Sequence, residues 1–158
     1  MRLKKALKYI RLTKEKKKRR KKKTSSAVLW EKASDVEKDL KRLINLSKLP
    51  YDIKNITSLR SYNSRARAYA RIWGLSRVWQ MSLNVPPHYI IEILSEKFDE
   101  LSKERKDEVL LHELAHIPSN FSGSLLPHIR RGKRNFKSKV DRLIREVRMN
   151  DGKRYWDI

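Results

Sequence analysis

Residues 110–128 read LLHELAHIPSNFSGSLLPH. Within them, His112-Glu113-Leu114-Ala115-His116 sets two histidines four positions apart. On a helix that spacing puts both imidazoles on one face, where they can reach a single metal ion. The helix itself is well specified. Ser102 is an N-cap, strong helix formers run from there to Ile117, and Pro118 blocks continuation. Glu113 follows the first histidine and falls beside the metal position, where it can take a proton from a water that the metal polarises. Zinc suits nitrogen ligands with one coordination position left open. A chance HExxH in a chain with these His and Glu frequencies has odds of roughly 1 in 150, before a helix is required. The plainer alternative, two histidines and a glutamate buried without a metal, is costly and weaker for that reason.

A third ligand is needed. The continuation in which Gly and His follow at fixed short spacing is absent, because Ser119 and Ser122 occupy those places. His128 is the favoured candidate, since the loop through Gly123 can fold back under the helix. Asp141 and Glu146 on the last helix remain as alternatives, each with the simpler reading of a surface acid among basic neighbours. His88 is left over, a strand or loop residue without a metal role.

Working outward, Trp30, Ala33, Val36, Leu40, Leu43, Ile44 and Leu46 follow a helical stripe, so residues 26–49 are expected as one kinked helix or two short ones. Ser34 with Glu37 fits a capping box inside it, and Pro50 ends it. Residues 51–64 are polar and irregular. Extended segments are expected near 69–73 and 76–83, and a clearer strand at Tyr89–Leu94 after Pro86-Pro87. A loop spans 118–132, and Phe136, Val140, Leu143, Ile144 and Val147 predict a final helix near 134–149 with a basic outer stripe. The fold class is α+β: a small sheet, the HExxH helix and a C-terminal helix. Arg60, Arg65, Arg67 and Arg71 interleave with Tyr62, Tyr69 and Trp73, a pattern that can stack on bases. The preferred reading of Tyr69 and Trp73 is nevertheless that they are core.

The 158 residues carry 40 Lys plus Arg against 18 Asp plus Glu, a net +22. The excess is unevenly placed. Residues 1–23 hold 14 basic residues and one acid, residues 24–128 hold 15 and 13, and residues 129–158 hold 11 and 4. Three parts follow: a basic arm (1–25), a metal-binding domain (26–132), and a basic C-terminal helix and tail (133–158). In the arm, Leu3, Ala6, Leu7 and Ile10 mark a short amphipathic helix, followed by KEKKKRRKKK at 14–23. Such a block repels itself, and binding a polyanion releases condensed counterions. Lys14, Lys16, Lys17, Lys18, Arg19, Arg20, Lys21, Lys22 and Lys23 are the expected RNA contacts, with Arg130, Arg131, Lys133 and Arg134. An anionic membrane surface is the rival partner. With no cysteine, disulfides, thiolate zinc sites and cysteine catalysis are excluded. Four glycines cannot build a Gly-rich phosphate loop. No apolar run of 18 residues exists, and the stretch 3–12 is broken by cations, so neither a spanning helix nor a signal peptide is expected, and the location read is cytoplasmic.

The stretch 110–128 resembles the phage-type metallopeptidase family and its archaeal members, which show an HEL-x-HI helix, a Phe-x-Gly loop and a further His. SRARAYARIWGLSRVWQMSL (64–83) and YIIEILSEKFDELS (89–102) are also similar to it. The resemblance covers about 28–130. It implies a zincin-like fold, zinc on His112, His116 and His128, and Glu113 as general base. The basic ends look instead like those of ribosomal proteins. The sequence reading is therefore an RNA-binding, ribosome-associated protein with a zinc-binding metallopeptidase-like domain. The alternative is an active zinc metallopeptidase, holding an extended peptide on an edge strand near 76–83 and tethered to RNA or an anionic surface by its tail.

Overall fold

The run YIIEIL forms β4 (Tyr89–Leu94), an apolar strand short enough to be fully covered on one side. It lies inside a four-stranded sheet. The structure, a computed structural model, describes residues 27–128 and 136–152. β2 (Ile56–Tyr62) runs parallel to β4, with Ile56 opposite Tyr89 and Ser61 opposite Leu94. β1 (Leu29–Lys32) is antiparallel to β2 at one edge. β3 (Ala70–Gly74) is antiparallel to β4 at the other.

Side chains alternate across a strand, so the register sorts the sheet into two faces. Ile56, Ala70, Tyr89, Ile91 and Ile93 share one of them and form one core with the helices. α1 (Ser34–Leu46) contributes Val36, Leu40, Leu43 and Ile44 to that core. α4 (Lys103–Ala115) contributes Leu110, Leu111 and Leu114, and α5 (Phe136–Asn150) contributes Phe136, Leu143 and Val147. Burying each of these aliphatic or aromatic side chains favours folding by about 1.5–3 kcal/mol. α2 (Arg77–Leu83) and the single turn α3 (Ser95–Phe98) complete the α-helices among the described residues, and a 3-10 turn, Ile53–Asn55, leads into β2. None of these helices is long and apolar enough to cross a membrane.

The expected β4, α4 and α5 lie where the sequence puts them, α4 with the Ser102 hydroxyl accepting from Arg105 N at 3.3 Å. Four readings need correction. Residues 29–32, read as helix, are the edge strand β1, and α1 starts only at Ser34. Ala33 is its N-cap and no side chain caps it, so the Ser34–Glu37 capping box is not made; Asp35 and Glu37 instead lie in the positively polarised first turn. Residues 56–62, read as irregular, are an inner strand whose buried positions include Ser58 and Ser61, which disguise the apolar alternation. Residues 76–83, read as extended, are a helix with no buried residue, closed by Asn84 in the left-handed region at φ 52°. The C-terminal helix places Phe136, Leu143 and Val147 in the core shared with the sheet.

Candidate metal centre

α4 carries His112 and delivers His116 at its C-cap, so the four-residue spacing holds both rings on one side, with centroids 5.2 Å apart. Leucines on the other flank bury the helix against the sheet. Two groups outside the helix hold its end. Lys139 Nζ donates to the carbonyls of Ala115 and Ile117 at 2.8 and 2.7 Å. Tyr51 OH donates to Ile117 O at 3.0 Å, and burial pushes that phenol up to about 12. These bonds satisfy carbonyls that a helix terminus leaves open.

The loop after α4 turns back through a series of specific contacts. Phe121 takes a left-handed conformation and its ring packs on Tyr51 and Tyr89. Gly123, at φ 86°, donates its N–H to Tyr89 OH at 2.8 Å, and that hydroxyl donates to Ser124 O at 3.0 Å. Gln80 bridges Leu75 O and Ser122 O. A Cβ on Gly74 would lie 2.2 Å from Gly123 O, and one on Gly123 would lie 2.1 Å from Leu75 O. Only two glycines allow the loop to lie this close to β3. Leu126 N then donates to His116 O at 2.8 Å, and two residues later His128 arrives beside the helix.

His112, His116 and His128 form a group whose ligand atoms all lie within 4.8 Å of one another, and which can hold a metal ion. The Nε2 atoms of His112 and His128 approach to 2.9 Å. His116 Nδ1 is 2.6 Å from Leu126 O. A carbonyl only accepts, so Nδ1 carries the proton and Nε2 keeps its lone pair for a ligand. This outer hydrogen bond is what a metal-ligating imidazole requires. Burial, with repulsion from His116 and His128, pushes His112 down to about 4, and burial also lowers His116. Both rings are therefore neutral near pH 7, the form that binds metal. The Phe136 ring lies 4.4–5.1 Å from all three imidazoles and closes the group with an apolar wall.

Glu113 is 8% exposed, and burial alone pushes its carboxyl up to about 7. It shares with His112 the wall of a cavity of about 360 Å³, lined also by Tyr69, Ala70, Val109, Val140 and Ile144.

Of the other expected ligands, Glu146 pairs with Arg142 at 3.8 Å, and neither it nor Asp141 joins the histidine group. His88 bonds Thr57 Oγ1 at 2.8 Å. The expected RNA contacts at 14–23, 130, 131, 133 and 134 lie outside the described residues. Tyr69 and Trp73, expected in the core, are 43% and 52% exposed. Phe136 was legible only as a helix-core residue. Leu126, which acts through its carbonyl, and Gly74 leave no motif, whereas Gly123 was legible in the Phe-x-Gly loop. A family described as Putative phage metallopeptidase matches residues 28–158, reaching past the stretch of resemblance to include α5. No curated protein matches the chain, and no solved structure does.

Proposed function

The chain belongs to the phage metallopeptidase family, and on that premise we propose that it is a zinc-dependent peptidase. The observation that carries this reading is the gathering of three imidazoles around a position that a buried glutamate of the same helix adjoins. His112, His116 and His128 would hold the ion through neutral nitrogens, leaving a position open. What a zinc ion contributes there is Lewis acidity toward a water molecule and a carbonyl oxygen.

Glu113 receives the proton of the attacking water at its carboxylate and passes it to the leaving amide nitrogen. Without an ion, burial holds this carboxyl near 7, and a cation on the three imidazoles would draw it toward the carboxylate form that accepts the proton. The Phe136 ring packs against buried His116 and keeps bulk water from that side of the group, while His128 stands exposed at the other. The peptide-holding edge cannot be 76–83, which is helical. β3 is the available edge: Tyr69 O accepts from Leu94 N and Leu75 N donates to His88 O, so Ala70 and Ile72 turn their backbone groups outward. An extended peptide pairing there lies over the cavity beside His112 and Glu113. The test is incubation of the purified chain with a denatured-protein mixture and mass spectrometry of new peptide termini. Cleavage that stops with a chelator and returns with zinc is expected; no cleavage in zinc-loaded protein overturns the peptidase reading.

A second reading concerns the basic ends. Fourteen cations in the first 23 residues support binding to RNA, ribosomal or otherwise structured, in the cytoplasm. Deleting 1–23 should abolish RNA association or sharply flatten its salt dependence. Unchanged binding would remove this reading, and selective binding to anionic vesicles would replace it.

A further inference from the structure

The sheet has a second face. Pairing places Trp30, Ser61 and Leu94 in one row across it, followed by Lys32, Leu59, Glu92 and Arg71, then Ile90 and Trp73. Tyr69 continues the first row through its bond to Leu94. The buried residues of α1, α4 and α5 belong to the core on the opposite side. Those three helices do not cover this face; Ser61, Leu94 and Glu92 are buried within it, but Trp30 is 58% exposed and Trp73 and Tyr69 are exposed beside it.

Its centre is Glu92, 1% exposed. Trp30 Nε1 donates to Oε1 at 3.1 Å, Arg71 donates to the same oxygen at 2.9 Å, and Trp73 Nε1 donates to Oε2 at 3.0 Å. Both indoles thus turn their N–H edges inward to one carboxylate, which fixes their orientation. Burying a charge is an expensive way to close a sheet that apolar residues could cover. What the arrangement provides is two pinned aromatic rings standing at the surface. The Arg71 guanidinium lies 5.5 Å from the Trp73 ring, and exposed Lys32 adds a second cation. Next to Trp73, an apolar hollow of about 460 Å³ is lined by Ile90, Val85, Pro86 and His88.

We infer that this open face is a stacking platform for the bases of single-stranded nucleic acid. Aromatic faces with neighbouring cations stack on unpaired bases and pair with phosphates, whereas a duplex offers no free base faces. The arm supplies the charge match. Lys23 is seven residues before Trp30, so in any conformation the cationic run begins within about 25 Å of the platform. The inference shares its partner class with the RNA reading of the arm but places the contact on different residues, and it is independent of the metal centre.

The experiment uses the full chain, a fluorescein-labelled oligouridine, and anisotropy at several salt concentrations. Trp30→Leu and Trp73→Leu should each weaken binding roughly five- to hundred-fold at every salt concentration, leaving the salt slope unchanged. Trp30→Phe and Trp73→Phe, which keep a ring but lose the donor, should stay within a few-fold of the parent chain. Replacing the lysines of 14–23 with Gln should instead flatten the slope. Ultraviolet crosslinking of the unaltered chain to oligouridine keeps the test valid if a Leu variant fails to fold. Crosslinks at Trp30 and Trp73 are expected. Crosslinks confined to 14–23 overturn the platform and leave the arm. Absence of binding overturns both, as does a concentration-dependent dimer that buries the tryptophans in place of RNA binding.

Discussion

Glu92 and Glu113 are both buried glutamates, one under the open face of the sheet and one beside the histidines, and they are held in opposite states. Burial pushes both carboxyls up. At Glu92, donors from Arg71, Ser61, Trp73 and Trp30 outweigh it and hold the group below its ordinary value. At Glu113 no donor opposes burial, and the group reaches about 7. Partners, more than depth, decide which carboxylate is a fixed anion and which can exchange a proton. The first suits a scaffold for two indoles, and the second suits general-base work.

The largest way to break this contrast is chemical. Glu113→Gln should lower kcat/KM for a cleaved peptide by roughly 10²–10⁴-fold with metal content unchanged. Glu92→Gln should leave kcat/KM within a few-fold. Equal losses in both variants would erase the distinction.

The next is pH dependence in metal-free protein. Glu113 is raised, so its contribution to stability is full below 4.5 and lost as pH rises through about 7. Glu92 is lowered, so its contribution is full above 4.5 and lost as pH falls through its folded value. Urea unfolding should therefore find Glu113→Gln more stable than the parent at pH 8, by on the order of 3 kcal/mol, and nearly level with it at pH 4. Glu92→Gln should be less stable than the parent at pH 8.

Smaller effects sharpen the contrast by testing what supports each side. Glu92→Ala, which strips the donors of Trp30, Trp73 and Arg71 of their acceptor, should cost about 2 kcal/mol in urea unfolding. Lys139→Met, which uncovers the Ala115 and Ile117 carbonyls at the end of α4, should cost about 1 kcal/mol, read by the same unfolding curves.

The side of the molecule that carries the histidines was legible in the sequence because its signals are local. HExxH needs only one helix, Ser102 and Pro118 bound that helix, and the apolar run 89–94 can hardly be anything but a strand. The resemblance supplied the same histidines together. The open face was not legible, because its geometry depends on register. Trp30 fits a helical stripe as well as a strand, and Ser58 and Ser61 hide β2. Val78, Trp79, Met81 and Leu83 look like residues that must be buried, yet α2 exposes them all. The cause is tertiary: Gln80 ties that helix to Leu75 and Ser122 through polar bonds, with no buried residue. Nothing in the order of residues announces that three strands will bring Trp30, Arg71 and Trp73 to one carboxylate.

The most direct measurement is the metal content of the purified full chain after zinc loading and desalting, beside a His112→Ala, His116→Ala double variant. Close to one zinc per chain in the parent and none in the folded double variant is the predicted result. A parent chain that retains no metal, or a double variant that retains as much, would contradict the assignment of the three histidines.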